Sequence, residues 1–331
     1  MSDEGLETII WIISARCNLA CKHCYATPYM HERELPTEKV LDIIRDAADA
    51  EVEHIHLTGG EPLLRGDLVR ILNEIVELGM EASVFTNATL LNNDLASQLS
   101  RLGVKVFTSI EGPSRDVHEL IRGRGSWDAV LNGINLLRDH GVPFHVNVSV
   151  SELNWRYVGE AIEKALELGA ESVSIIPAMP AGTALRIHSY VSSRHYVAAL
   201  KAVERVAEEL GVVVDVWCTP FLRVVSKSPW LRTANCRDWG VMDVTPSGRV
   251  VLCDVMNVEV ANVVKDGVRG AWAKLMSHPV IKSVSRPPRV EPCASCPVAS
   301  ECRGGCFARS YMLRRNPHSP DPLCPRVASE L

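Results

Sequence analysis

The run Ile9-Ile10-Trp11-Ile12-Ile13-Ser14-Ala15-Arg16-Cys17-Asn18-Leu19-Ala20-Cys21-Lys22-His23-Cys24 decides how the chain is read. Its first five residues are apolar and largely β-branched, the pattern of a buried strand. Three thiols follow on the loop at that strand's C-terminal end, spaced by three and then two residues. Zinc ribbons and most iron–sulfur clusters take four ligands, so three cysteines are one short of a closed structural site. Either the trio leaves one metal position open for chemistry, or these are structural or zinc-binding cysteines.

Outward from this loop, strand and helix patterns alternate. Thr37 is placed as the N-cap of a helix with Val40, Leu41, Ile43, Ile44 and Ala47 on its apolar face. His54-Ile55-His56-Leu57 reads as a short strand, its two histidines packed or at an edge rather than metal-binding. It ends in Thr58-Gly59-Gly60-Glu61-Pro62, a turn that a glycine-rich backbone makes easily. Asp67 opens the next helix. Further strands at 82–86, 104–110, 144–150 and 172–176 are followed by helices at 92–102, 127–139, 154–168 and 194–210. Strict alternation implies a parallel sheet with crossover helices. Six units are fewer than the eight that close a barrel, so the expected fold class is α/β, an open partial (β/α)6 barrel of the triosephosphate isomerase type. The candidate chemistry gathers at the C-terminal ends of its strands: the thiols, Gly59 to Pro62, Thr86 and Asn87, Ser109 and Glu111.

Near 211–218 the alternation stops and proline and cysteine become denser. We place a boundary there, giving a core of 1–212 and a small, loop-rich, cysteine-rich domain of 213–331. A hairpin is expected over 241–253, turning at Thr245-Pro246-Ser247-Gly248, and one short helix over 268–276.

Bulk properties narrow the function. A net charge of −5 without a long basic run argues against nucleic acid as the main partner. No apolar stretch reaches the ~18–20 residues of a membrane span. Met1-Ser2-Asp3-Glu4 lacks a signal-peptide pattern, so a cytoplasmic location is the default. Eleven cysteines, an odd number in a chain without an export signal, point to metal rather than disulfides.

The thiol loop matches the CxxxCxφC pattern of the radical S-adenosylmethionine (radical SAM) superfamily, with His23 at φ, and Gly59-Gly60-Glu61-Pro62 matches its GGEP motif. Ser109-Ile110-Glu111-Gly112 resembles the usual SIDG, with Glu for Asp, and the likeness spans most of 8–210. Cys236, Gly248 and Cys253, followed by Cys293-x2-Cys296-x5-Cys302-x3-Cys306-x17-Cys324, resemble the seven-cysteine SPASM domain. That domain occurs in anaerobic sulfatase-maturing enzymes, in pyrroloquinoline quinone and mycofactocin biosynthetic enzymes and in many peptide maturases.

The resemblance implies three [4Fe–4S] clusters and S-adenosylmethionine. Cys17, Cys21 and Cys24 would hold the cluster whose fourth iron takes the cofactor; reductive cleavage would give a 5′-deoxyadenosyl radical that removes hydrogen from substrate. Gly59 and Gly60 would let backbone groups approach the cofactor's methionine part, and Glu61 would accept from its ammonium. Pro62 completes that motif. Thr86, Asn87, Ser109 and Glu111 are candidates for ribose or carboxylate contacts, or else turn and capping residues. Arg122 is a partner for the cofactor carboxylate, or an exposed surface residue. Cys293, Cys296, Cys302 and Cys324 would hold one auxiliary cluster, and Cys236, Cys253 and Cys306 another. Sulfatase-maturing enzymes carry an extra cysteine where this chain has Trp230. Cys218 is therefore either the fourth ligand or a buried inert thiol. Asp254 follows Cys253 as in those enzymes, where the Asp is a general base on the substrate; a surface Asp is the alternative.

The leading expectation is oxidation or cross-linking of a peptide or protein side chain, with a reductant such as flavodoxin or ferredoxin. The motif at Cys17 is expected to leave no room upstream for a leader-recognition domain, which argues against a leader-dependent maturase unless a separate protein supplies that domain. The first alternative is a small-molecule substrate, a tetrapyrrole whose side chains are processed. A non-catalytic electron carrier or zinc scaffold is the alternative of another class, and it leaves the GGEP turn without a purpose.

Overall fold

The computed structural model describes residues 5–238 and 240–328; the acidic residues 1–4 lie outside them. Among the described residues the strands are β1 (Thr8–Ser14), β2 (His54–Gly59), β3 (Glu81–Phe85), β4 (Lys105–Ser109), β5 (Phe144–Val150), β6 (Ser172–Pro177), β7 (Val214–Val216), β8 (Leu231–Arg232), β9 (Val241–Val244), β10 (Arg249–Val251) and β11 (Glu259–Asn262). They form one sheet in the order β11-β10-β9-β1-β2-β3-β4-β5-β6-β7-β8. Pairing is parallel from β9 through β1 to β8, and antiparallel among β9, β10 and β11.

The crossovers are helical: α1 (Thr37–Asp49), α2 (Leu68–Glu77), α3 (Asn93–Arg101), α4 (Arg115–Arg122), α5 (Ser126–Asp139), α6 (Val158–Glu167), α7 (Gly182–Arg186) and α8 (Ser193–Leu210). Alternation along the strands sends Ile9, Trp11, Ile55, Leu57, Val84, Val106, Val146 and Ile175 into the main core, which also takes up Val40, Leu41 and Ile44 of α1. Full burial of each large side chain contributes about 1.5–3 kcal/mol.

The six expected strand–helix units are present, as is the hairpin with its turn at Thr245–Gly248. The sheet goes further than the alternation foretells. β7 and β8 continue it beyond β6, and β9 pairs with β1 in register Thr8↔Val241 to Trp11↔Val244. It is therefore continuous across residue 212. Glu32 fastens the hairpin to the barrel by accepting from Thr245 Oγ1 at 2.7 Å and from Ser247 Oγ at 2.5 Å.

Local readings need correction. Thr37 is the first helical residue of α1 rather than its cap; Pro36 holds that position, and Thr37 Oγ1 donates to Asp67 Oδ2 at 2.7 Å. The single helix expected at 268–276 begins at Val263 and breaks at Gly267, where φ is 66°. Helices α4 and α7 went unread because each is short and lies between stronger patterns.

The two histidines of β2 are packed, as expected, and do not lie at an edge, since β2 runs between β1 and β3. Register places Ile10, His56, Ser83, Phe85, Phe107, His145, Asn147 and Ser174 on the concave face of the sheet. His54 Nε2 and His56 Nδ1 share Ser83 Oγ at 2.7 and 2.6 Å, and His145 bonds Ser172 Oγ and Ser174 Oγ at 2.7 and 2.6 Å. His56 packs edge-on to Phe107 (5.1 Å), and His145 stacks on Trp217 (5.3 Å). Burial keeps these imidazoles neutral, pushing His56 down to about 3 and His145 to about 4.

Candidate active site

The first cysteine loop leaves β1 at Ser14 and is held from four sides. From β2, Gly60 N donates to Ser14 O (2.9 Å) and Glu61 N to Arg16 O (2.7 Å). This approach is what the two glycines permit. A Cβ on Gly60 would stand 2.2 Å from Arg16 O, and one on Gly59, at φ +147°, 2.6 Å from Ser14 O. Their need is thus set by the cysteine loop's own backbone rather than by a ligand. From the β3 end, Asn87 Nδ2 donates to Asn18 Oδ1 at 2.9 Å. From α4, Ile121 O accepts from Lys22 N at 2.9 Å. Beyond β6, Thr183 N donates to Cys24 O and Ser189 Oγ to Lys22 O, both at 2.8 Å.

Glu61 is fully buried, and its carboxylate accepts from Leu63 N (2.9 Å), Thr86 Oγ1 (2.7 Å) and Asn87 N (2.8 Å). Burial raises its pKa, and these three donors pull the other way. With no exposed atom and three donors from its own chain, it ties the turn to the ends of β2 and β3. Pro62 begins the one-turn helix Pro62–Leu64 that Glu61 caps.

Glu111 gathers a second network. Arg122 Nε donates to its Oε1 at 2.8 Å, Ser149 N to its Oε2 at 3.1 Å, and Arg122 Nη2 reaches Ser109 Oγ at 2.5 Å. Arg122 is thus a mostly buried ion-pair partner, 11% exposed, and not a surface residue. Burial alone would raise the Glu111 carboxyl; Arg122, with His23 and His118, outweighs it and holds it below the usual range. His23, between Cys21 and Cys24, points Nε2 at Glu111 Oε1 (3.4 Å) and leaves Nδ1 buried without a partner. Burial keeps this ring neutral, at about 4. Cys21 and Cys17 lie within the electrostatic reach of Arg122.

Pairing of β9 with β1 brings the C-terminal thiols to this loop. Ile10 faces Asp243 as it faces His56, so Asp243 belongs to the concave wall. Asp254 N donates to Asp243 Oδ2 at 3.2 Å, Cys253 Sγ approaches Asp254 Oδ1 at 3.5 Å, Tyr29 Oη donates to Asp254 O at 2.5 Å, and Tyr25 bonds the Asp254 carboxylate. Burial raises both carboxyls, Asp243 further because Asp254 stands beside it. Asp254 is therefore half-buried, not an exposed surface residue. Asp243 escaped the sequence reading; its signal was a lone acid in the apolar strand Val241-Met242-Asp243-Val244.

The thiols fall into three groups. Cys17, Cys21 and Cys24 influence one another. Cys306 lies in electrostatic reach of both Cys218 and Cys253, and Cys236 of Cys218. Cys293, Cys296, Cys302 and Cys324 line one recess. Burial raises the pKa of each of these thiols for which a shift is resolved, with Cys293 at about 11 and Cys302 at about 12; a bound cation would reverse this. A tetrahedral zinc ion would hold sulfurs about 3.8 Å apart. Among the described residues, the ligand trio closer than 4.8 Å is Asp243, Cys253 and Asp254, and no trio of thiols is. The spacing and the all-sulfur donor sets fit iron–sulfur clusters better than single zinc ions.

Residues 11–165 match the family model described as the radical SAM superfamily. That segment is a radical SAM domain. As a radical SAM enzyme the chain uses S-adenosylmethionine and a [4Fe–4S] cluster. It is 27% identical to an AdoMet-dependent heme synthase of Methanosarcina barkeri, over 96% of this chain and 95% of that protein. It is 28% identical to the PqqA peptide cyclase of Gluconobacter oxydans, over 94% and 88%. The solved structure of anSMEcpe with bound AdoMet and the Cp18Cys peptide shares the fold, with a TM-score of 0.74 at 19% identity over 97% of this chain and 94% of that one. The radical SAM domain, with relatives named as synthase and cyclase, overturns the carrier and zinc-scaffold alternatives.

Proposed function

We propose that this radical SAM enzyme oxidises or cross-links a side chain of a peptide or protein. The carrying observation is the half-buried Asp243–Asp254 pair with Tyr25 and Tyr29, set between the first cysteine loop and Cys253. Removing a hydrogen atom from the carbon that bears an O–H or S–H leaves a carbon radical. Completing the oxidation releases that group's proton, which Asp254, oriented by Tyr25, is positioned to receive, and one electron, which the auxiliary cluster assigned beside Cys253 would take. The PqqA cyclase and the peptide-bound anSMEcpe support a peptide substrate.

Cys17, Cys21 and Cys24 would hold the cofactor-binding cluster, and its bound S-adenosylmethionine supplies the hydrogen-abstracting chemistry. The partnerless Nδ1 of His23 is the buried polar atom left for that ligand. Arg122 and Glu111 fix the loop's charge, and Ser109, Thr86 and Asn87 hold its flanks. In the C-terminal region (213–331) we assign Cys236, Cys253, Cys306 and Cys218 to an inner auxiliary cluster, with Cys293, Cys296, Cys302 and Cys324 as the outer one. Cys218 joins the inner set through its nearness to Cys306 and Cys236.

A second reading, processing of a tetrapyrrole, draws on the heme synthase relatives and on the aromatic wall of His56, Phe107, His145 and Trp217. Against it, a polyanionic macrocycle would face Asp243 and Asp254, with Arg122 already paired to Glu111.

Anaerobic incubation of the iron-loaded enzyme with S-adenosylmethionine and a reductant separates the readings. Loss of two hydrogens from a Cys- or Ser-containing peptide, seen by mass spectrometry and abolished in Asp254→Asn, supports the first. A shifted Soret band on adding iron coproporphyrin, followed by decarboxylation and with every peptide untouched, overturns it.

A further inference from the structure

One ion pair lies between the two groups of C-terminal thiols. Arg309, on the helix Phe307–Arg314, and Asp321, three residues before Cys324, are 2% and 1% exposed. Arg309 Nε donates to Asp321 Oδ1 at 2.8 Å and Nη2 to Oδ2 at 2.7 Å, a bidentate fork.

The pair grips loops of both groups. On one side, Arg309 Nη2 donates to Cys218 O at 2.8 Å, and Asp321 Oδ2 accepts from Cys306 N at 2.8 Å. On the other, Asp321 O accepts from Cys324 N at 3.0 Å, while Asp321 N donates to Gly304 O at 3.0 Å, just past Cys302. Electrostatic reach is the more divided, although the carboxylate also accepts from the inner group at Cys306 N. The guanidinium acts on Cys218 and Cys306, and the carboxylate on Cys293, Cys302 and Cys324.

An apolar pair of similar size would often stabilise a protein as well as a buried ion pair does. Charges in a dry interior act strongly on nearby groups, and charge near a cluster is among the protein's levers on its potential. We propose that Arg309 and Asp321 hold the two auxiliary clusters at different potentials, the guanidinium raising that of the inner cluster and the carboxylate lowering that of the outer one. This rests on the auxiliary-cluster reading above. The sign follows from charge: reduction adds an electron, which a nearby cation stabilises and a nearby anion destabilises. An electron shared between the two clusters then rests on the inner one, beside Cys253 and the barrel.

The test is an EPR-monitored redox titration of the full chain after anaerobic reconstitution, with iron counted per chain. Cys17, Cys21 and Cys24 are replaced by Ala throughout, so that only auxiliary signals remain. Arg309→Gln should narrow the gap between the two midpoint potentials by dropping the inner one. Asp321→Asn should narrow it by lifting the outer one, and Arg309→Lys should keep most of it. An unchanged gap in iron-loaded Arg309→Gln and Asp321→Asn overturns the proposal. If these variants lose iron, the double change Arg309→Met with Asp321→Leu removes both charges and keeps the bulk; the original gap there overturns it too. Loss of iron from every variant reduces the pair to a structural clamp and likewise overturns it. Iron for only one cluster in the chain with Arg309 and Asp321 intact overturns the auxiliary-cluster reading itself, and this inference with it.

Discussion

The two cysteine-bearing regions are built in opposite ways. The first loop is short and receives hydrogen bonds from the ends of β2 and β3, from α4 and from the segment after β6. Its shape is dictated by a barrel that has a full apolar core. The C-terminal cysteines sit on loops and one-turn helices such as Ala299–Cys302, and Cys302, Cys306 and Cys324 are themselves buried among the apolar residues. In the first region metal is a guest of the fold. In the second, on the cluster assignment proposed above, ligation would stand in for core, as it does in small metal-stapled domains.

The largest effects should come from breaking each region at its thiols. Cys21→Ser is expected to abolish 5′-deoxyadenosine formation while the chain keeps iron for two clusters and an unchanged thermal midpoint. Cys302→Ser should do the reverse: 5′-deoxyadenosine still forms, but the C-terminal amides lose hydrogen-exchange protection. Chromatographic assay, iron analysis and exchange mass spectrometry read these outcomes; equal destabilisation by both variants would erase the contrast.

Next in size is Arg122→Ala, which leaves Glu111 charged and buried. Removing one partner of a buried pair typically costs about 3–5 kcal/mol, readable from the urea midpoint. Arg122→Lys should recover part of this. Gly60→Ala sharpens the claim that the barrel shapes the first loop. Its Cβ meets Arg16 O, so a loss of about 1–3 kcal/mol is expected, with impaired iron uptake at the first site only.

The smallest effect is on pH dependence. His56 and His145 are held near 3 and 4 in the fold, against an ordinary value of about 6.5 when unfolded. The unfolded chain therefore binds more protons between those values. Stability from their burial is complete above about pH 6.5 and declines as pH falls toward 4. Urea midpoints at about pH 7.5 and about 5.5 should differ less in His145→Gln than in the original protein.

Much of this was legible in the sequence because it rests on local pattern. Ile9 to Ile13, the glycine turn and the apolar helix faces each declare themselves within a few residues, and the cysteine spacings do so across the whole chain. What escaped depends on partners far apart. Nothing near Val241 announces that β9 will lie beside β1, yet that pairing sets Asp243 on the concave wall and Asp254 at Tyr25. The surface alternative for Arg122 stayed open because its partner, Glu111, lies on another element. The bonds of Thr86 and Asn87 to Glu61 went unread because those residues belong to the next strand's end.

Gly182 carries a consequence for the order of assembly. At φ +53°, a Cβ there would stand 2.7 Å from both Cys24 O and Tyr25 O, so the segment after β6 closes directly onto the first cysteine loop. That contact, with those of Lys22 to Ile121 and Ser189, joins parts of the chain about a hundred residues apart or more. The loop therefore reaches its final shape only after β4 and β6 are in place. Although the thiols emerge first from the ribosome, they are expected to be among the last groups ready for iron. A chain truncated before residue 182 should fold its early strand–helix units yet leave the loop unfinished.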